Sequence, residues 1–244
     1  YNDGTDTSDS NRGHVRVYQF TADTSDSNGG TWNKLGQDID GEASGDLSGN
    51  SVSLSSDGSI VAIGAIYNID TSNSERGHVR VYQFTADTND TNGGSWNKLG
   101  DDIDGEFGYD QSGWSVSLSS DGTIVAIGAI FNDGNDISNS NIGHVRVYQF
   151  TADTSDTNGG TWDKLGQDID GEAYGDYSGW SVSLSSDGTI VAIGAIWNDD
   201  NGNDSGHVCV YKFTSDTNDS NGGSWDKLGQ DIDGEASDDY SGYS

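Results

Sequence analysis

Ser181-Val182-Ser183-Leu184-Ser185-Ser186-Asp187-Gly188-Thr189-Ile190-Val191-Ala192-Ile193-Gly194-Ala195-Ile196 is the stretch from which the fold can be read. It predicts two strands joined at Asp187-Gly188, because glycine accepts the positive φ that a tight hairpin turn requires. The first strand alternates serine with Val182 and Leu184. The second, Ile190 to Ile196, is apolar on both faces, and such a strand must be covered on both. Ala192, Gly194 and Ala195 leave room for a close neighbour. The same hairpin recurs at 51–66 and 115–130.

Working outward, Gly-His-Val begins at Gly13, Gly77, Gly143 and Gly206. The spans 13–66, 77–130 and 143–196 have one common length. All length variation therefore falls in one connection, at 67–76, 131–142 and 197–205, as expected of an exposed loop. The chain reads as one repeat domain over 1–244. Its units are 13–76, 77–142, 143–205 and an incomplete 206–244, with 1–12 the tail of a preceding unit. By this alignment it holds three complete sets of strands plus the outer two of another. The expectation is a window on a longer chain; the other reading is that neighbouring copies supply the missing hairpin.

Each set contains four strands. In the second, the hairpin is followed by His144 to Phe150, with Val145 and Val147 on one face. A turn at Asn158-Gly159-Gly160 then leads to a fourth strand over about 161–169. No stretch has a helical period of useful length. The fold class is all-β, and four antiparallel strands per repeat predict a β-propeller of four-stranded antiparallel blades, each packed between two others. A β-solenoid or a linear array of small β-units is the alternative.

The pattern Gly-Trp-Ser-Val-Ser-Leu-Ser-Ser-Asp-Gly-Thr-Ile-Val-Ala-Ile-Gly-Ala (Gly179–Ala195), followed by Gly206-His207-Val208, resembles the FG-GAP repeat of integrin-α-type propellers. In that family an aromatic-Gly-Ser start, a Val-Gly-Ala-Pro end and a Gly-x-Val-x-Val-Tyr strand mark each blade. Here Ile196 stands at the proline position. The resemblance implies a propeller and covers every copy. The family's own calcium loop lies between the first two strands, a connection reduced here to Ser-Asp-Gly, so that metal site is not carried over.

Acidic residues outnumber basic ones 41 to 10, for a formal charge of −31. Phosphate backbones would be repelled, which excludes nucleic acid as a partner, and anionic membrane surfaces are disfavoured. Self-repulsion of this size calls for screening by salt or neutralisation by cations. No run of 18 apolar residues is present, so membrane insertion by this segment is not expected. Cys209 is the only cysteine, which excludes an internal disulfide.

The strongest candidate chemistry is an acidic turn repeated in every copy. Its members are Asp38, Asp40, Glu42 and Asp46; Asp102, Asp104, Glu106 and Asp110; Asp168, Asp170, Glu172 and Asp176; and Asp231, Asp233, Glu235 and Asp239. Carboxylates at alternate positions around a glycine are the oxygen-rich set that calcium prefers, so Ca2+ is the expected cofactor. The plainer reading is a solvated acidic loop. A second set, Asp153, Asp156 and Asn158 with its equivalents, reads as Asx side chains capping their own turns. His14, His78, His144 and His207 each follow a glycine at a strand start and read as structural, for no serine or cysteine repeats with them in a triad-like arrangement. Trp114, Trp180 and Tyr243, and separately Trp32, Trp96, Trp162 and Trp225, read as packing between repeats. Tyr67, Phe131 and Trp197 open the variable loop and are the expected ligand-binding residues.

No catalytic residues are expected, and the chain reads as a non-enzyme. The expected function is an extracellular or cell-surface structural or adhesive repeat protein, fibre-forming and calcium-stabilised. Its partners would be further copies of itself or an extracellular protein or glycan. A carbohydrate- or protein-binding propeller module is the alternative, and a hydrolase stands third.

Overall fold

The computed structural model describes residues 11–25, 27–69, 74–134 and 141–244. Most of the tail read at 1–12, and parts of the first two variable loops, lie outside the described residues. Among these the chain is all β, in repeated antiparallel sheets. The first group is β1 (His14–Val15), β2 (Tyr18–Ala22), β3 (Gly30–Lys34) and β4 (Ile39–Asp40), with β1 paired to β4 and β2 to β3. Three five-stranded sheets follow. The second group contains β5 (Ser51–Leu54), β6 (Ile60–Ala65), β7 (His78–Ala86), β8 (Gly94–Lys98) and β9 (Ile103–Asp104). The third contains β10 (Ser115–Leu118), β11 (Ile124–Ala129), β12 (His144–Ala152), β13 (Gly160–Lys164) and β14 (Ile169–Asp170). The fourth contains β15 (Ser181–Leu184), β16 (Ile190–Ala195), β17 (His207–Ser215), β18 (Gly223–Lys227) and β19 (Ile232–Asp233).

The hairpins form as the sequence predicts. In the fourth sheet Leu184 pairs with Val191 and Ser181 with Gly194. The turn is one step longer than a two-residue Asp-Gly turn: Gly188 N donates to Ser185 O, and Gly188 takes φ 70°. Asp187 stabilises it by accepting from Ser185 Oγ and from Thr189 N and Oγ1. These donors hold the Asp187 carboxyl down at about 2.

One expectation is corrected. The fourth strand is not continuous over 161–169 but breaks into β13 and β14, which pair with opposite ends of β12. The break is made at Gly166, whose positive φ of 77° turns the chain away. A side chain there would also collide with the next sheet, since a Cβ would lie 2.7 Å from Trp225 Cδ1. The fourth sheet breaks in the same way at Gly229, also at positive φ.

The sheets stack face to face. β6 and β11 are buried along their whole lengths, which is the double coverage their composition demands. Val116, Leu118, Val125 and Ile127 of the third sheet share one core with Ile60, Ala62, Val79 and Val81 of the second. Ile124, Val145 and Val147 share another with Val191, Ile193 and Trp225. The dependence on coverage is visible within the repeat. Val116 and Leu118 are buried, whereas the equivalent Val52 and Leu54 are 54% and 49% exposed.

Three devices join each sheet to the next. The serine opening each hairpin donates to a glycine carbonyl one repeat on, Ser51 Oγ to Gly113 O and Ser115 Oγ to Gly179 O, both at 2.7 Å. The glycine of the buried strand faces that same carbonyl: a Cβ on Gly128 would lie 2.2 Å from Gly179 O. On the outer side an indole closes the seam. Trp96, Trp162 and Trp225 donate Nε1–H to Leu35 O, Leu99 O and Leu165 O, each at 2.8 Å. Trp32, against which none of the described sheets packs, is 68% exposed.

Because Gly179 O cannot retreat from a methyl group without breaking its bond to Ser115, Gly128→Ala should destabilise the chain by about 2 kcal/mol or more. A urea midpoint unchanged by this substitution would show that the sheets do not approach so closely.

Candidate functional site

The register of the sheets brings together residues that lie far apart in sequence. His14, His78, His144 and His207 stand directly across the sheet from Asp40, Asp104, Asp170 and Asp233. Every histidine thus faces the second aspartate of the acidic turn. In the third sheet this pair borders a cleft of about 690 Å³, lined by Glu106 and Asp110 from the loop after β9, by Asn132, by Lys164 and Asp168, and by Asn221 from the next repeat.

The cleft has a definite electrostatic pattern. Arg146 sits between two carboxylates, pairing with Glu106 of the preceding repeat and, through Nε at 3.0 Å, with Asp168. Lys164 Nζ adds a third contact, 2.9 Å from Asp168. Burial pushes Asp168 up, but the bonds from Lys164 and Arg146 outweigh it and hold the carboxyl below its ordinary value. His144 Nδ1 lies 4.0 Å from Asp170. Burial, reinforced by Arg146, lowers the imidazole's pKa and keeps it neutral. Asp170 moves the other way: burial, then the charges of Asp168 and Glu106, raise it above the usual carboxylate range. Asp110 is raised chiefly by burial although it accepts from Phe107 N and Asn132 Nδ2, both at 2.9 Å.

The four acids of one copy therefore take four separate sets of partners rather than converging on one point. Asp168 holds Arg146 and Lys164; Asp170 faces His144; Glu172 reaches Lys227 of the next repeat; Asp176 accepts from Ala173 N and Asn198 Nδ2. Donor sets suited to a metal form across copies instead. Glu42 joins His78 and Asp102, Glu106 joins His144 and Asp168, and Glu172 joins His207, Cys209 and Asp231. The Asx turns behave as read, with Ser155 N donating to Asp153 and Asn158 N to Asp156.

Beside this cleft runs an aromatic groove of about 560 Å³. Phe131 and Trp197 line it together with Trp114, Trp180 and Tyr177. Of the three residues expected to contact ligand, Tyr67 does not reach it. Trp114 packs against Trp180 with centroids 4.9 Å apart and Trp180 against Tyr243 at 5.8 Å, the rings tilted by 53° and 46°, so they follow one another across successive repeats.

Sequence reasoning missed the histidine–aspartate pairing and the Arg146–Asp168 pair. Both had a signal, a constant separation in every copy that retains the residues, but the partners meet only once β14 folds back on β12.

Residues 167–211 match the family model of the FG-GAP repeat, so the resemblance read from the sequence holds there. No curated protein is similar to the chain in sequence. Among solved structures it is similar to a candidate 6-phosphogluconolactonase from Bacteroides uniformis, at 12% identity and a TM-score of 0.52, over 89% of this chain and 48% of that one. It is also similar to a candidate 6-phosphogluconolactonase from Bacteroides fragilis, at 13% identity and a TM-score of 0.51, over 91% of this chain and 50% of that one. The chain spans about half the length of these structures, and at such identity the likeness is one of fold. It nevertheless corrects two expectations. The fold read as the scaffold of a structural, adhesive or simple binding protein is one found among candidate enzymes, and the reading of the chain as a non-enzyme is withdrawn on the same finding.

Replacing Arg146 by methionine would take the bridging cation from Glu106 and Asp168 and leave Asp168 its pair with Lys164. A loss of about 2–3 kcal/mol is expected near neutral pH. Asp168 is depressed in the folded state, so the stability it contributes is present above its unfolded pKa and lost as pH falls through the folded value. The gap between wild type and R146M should accordingly close in acid. Urea melts over a pH series check both points, and a gap independent of pH would refute the assignment.

Proposed function

We propose that the chain is part of a β-propeller hydrolase that opens a small sugar-derived ester, a lactone being the first candidate. The propeller reading is supported by the way the sheets succeed one another: the first strands, β5, β10 and β15, run side by side, while each outer strand meets the preceding sheet through one tryptophan. That is the geometry of blades around an axis. The observation that carries the hydrolase reading is the pair formed by neutral His144 and Asp170 at the border of a polar cleft.

In this reading Asp170 is the general base. A carboxylate whose pKa is raised by burial accepts a proton more readily than an ordinary one. Neutral His144 orients a water in the gap between the two side chains. The water oxygen attacks the ester carbonyl carbon as its proton passes to Asp170, and the developing oxyanion is stabilised by the cationic Lys164, which lines the cleft. Collapse breaks the ring C–O bond, and the proton on Asp170 passes to the leaving alkoxide, giving the hydroxy acid. The solved proteins of similar fold are candidate phosphogluconolactonases, and the class of substrate proposed here follows theirs.

The test is hydrolysis of a panel of aldonolactones followed by pH-stat. Asp170→Asn should lower kcat about 100-fold or more with little change in melting temperature. Because the base must be ionised, the wild-type rate should fall as pH drops through a value above the ordinary carboxylate range. No lactone opened faster than its spontaneous rate, or a D170N variant of full activity, would overturn the proposal.

A further inference from the structure

The four repeats treat one position differently. Arg16, Arg80 and Arg146 occupy equivalent places on the strand after the Gly-His-Val glycine, and in the last repeat Cys209 stands there. Each arginine neutralises carboxylates. Arg80 bridges Glu42 and Asp102, Arg146 bridges Glu106 and Asp168, and Arg16 pairs with Asp38 at 2.9 Å. In the last repeat the carboxylates remain, as Glu172 and Asp231, but the guanidinium is gone. Among the described residues the cation that pairs with them is the Lys227 ammonium, 2.5 Å from each.

The vacated place is surrounded by a different chemistry. Cys209 Sγ lies 2.9 Å from Asp231 Oδ1 and 3.6 Å from His207 Nε2, and one donor atom from each of Glu172, His207, Cys209 and Asp231 lies within 4.8 Å of the other three. Donors around a tetrahedral zinc ion, at about 2.0–2.3 Å from it, stand roughly 3.3–3.8 Å apart, so modest side-chain motion closes the set. His207 supplies an independent sign. It is only 2% exposed and its ring turns Nε2 to the thiol, so burial holds the imidazole where that nitrogen can ligate beside the sulfur.

We propose that Glu172, His207, Cys209 and Asp231 form a site for a thiophilic divalent cation, zinc being the best match. The metal does in this repeat what a guanidinium does in the others, joining the acidic turn of one repeat to the next sheet. A sulfur, a nitrogen and two carboxylate oxygens are a zinc-type set and a poor one for calcium, which takes oxygen alone. The half-exposed Glu172 leaves the site open to solvent for entry of the ion. On binding, the Cys209 proton leaves to solvent, the thiolate bonds the metal, and Lys227 swings out.

Cobalt(II) reports thiolate ligation directly. The purified chain, reduced with a phosphine and free of chelator, should develop a near-ultraviolet sulfur-to-cobalt band and tetrahedral visible bands at one equivalent, and zinc should abolish both. Cys209→Ser should lose the sulfur band. Cys209→Arg, which installs the side chain of the other repeats, should stay folded and bind no metal. Lys227→Ala, which removes the competing ammonium, should tighten binding at least tenfold. Zinc should raise the wild-type melting temperature but not that of C209R. Absence of the sulfur band in the wild type, its persistence in C209S, or an equal zinc response in C209R would overturn the site.

Discussion

The hydrogen bond from an indole N–H to a leucine carbonyl in the preceding sheet is the contact on which the rest of the structure depends. A sheet of four or five short strands has two broad apolar faces and cannot bury either by itself. It becomes stable when siblings cover it, and the tryptophan fixes how they meet. The ring fills the gap at the outer side of the seam, while its N–H satisfies a carbonyl that the broken fourth strand leaves without a ladder partner. Glycine at the turn beneath it is a steric necessity, because the ring lies where a Cβ would be. At the inner side the serine and glycine of the hairpin do the complementary work, bringing one backbone against another.

Much of this was legible in the sequence. The doubly apolar Ile190–Ile196 implied coverage on both faces, and its glycine implied a near neighbour. The constant length from 13–66 to 143–196 identified the exposed loop. What escaped was what depends on one strand folding back upon another. The break at Gly166 looks in sequence like any loop glycine, and only the presence of Trp225 beyond it explains the turn. The acids of the turn seemed a single group because they are close in sequence. Alternation along a short strand and the turn after it sends them to different partners, and their true neighbours are a histidine across the sheet and an arginine on the adjoining strand. Periodic spacing between unlike residues carried that information, but without the register it could not be told from the period of the repeat itself.

The candidate site follows from the same architecture. A repeat that places a histidine and an aspartate at one end of every sheet, with an arginine beside them in all but the last, makes a row of similar polar niches. They differ by what the neighbouring loops add. In the third sheet Asn132 and the 106–110 loop enclose the niche, and burial there drives the pKa values of His144 and Asp170 in opposite directions. In the last, one exchanged side chain turns an ion-paired niche into a set of mixed donors.

The seams are not fastened alike. Gln37 and Gln167 each clasp the backbone of the tryptophan they face, accepting from its N–H and donating to its carbonyl. Between the second and third sheets the corresponding residue is Asp101, a carboxylate with no proton to give to Trp162 O, and it bonds Asn158 instead. Trp162 is accordingly only partly covered, where Trp96 and Trp225 are buried. The joint that borders the cleft of His144 and Asp170 is a firmly clasped one, for Gln167 and Asn221 are among the cleft's lining. Thermal breathing of the stack is therefore concentrated between the second and third sheets, and the amides around Leu99 and Trp162 would exchange with solvent ahead of their counterparts at the other two joints.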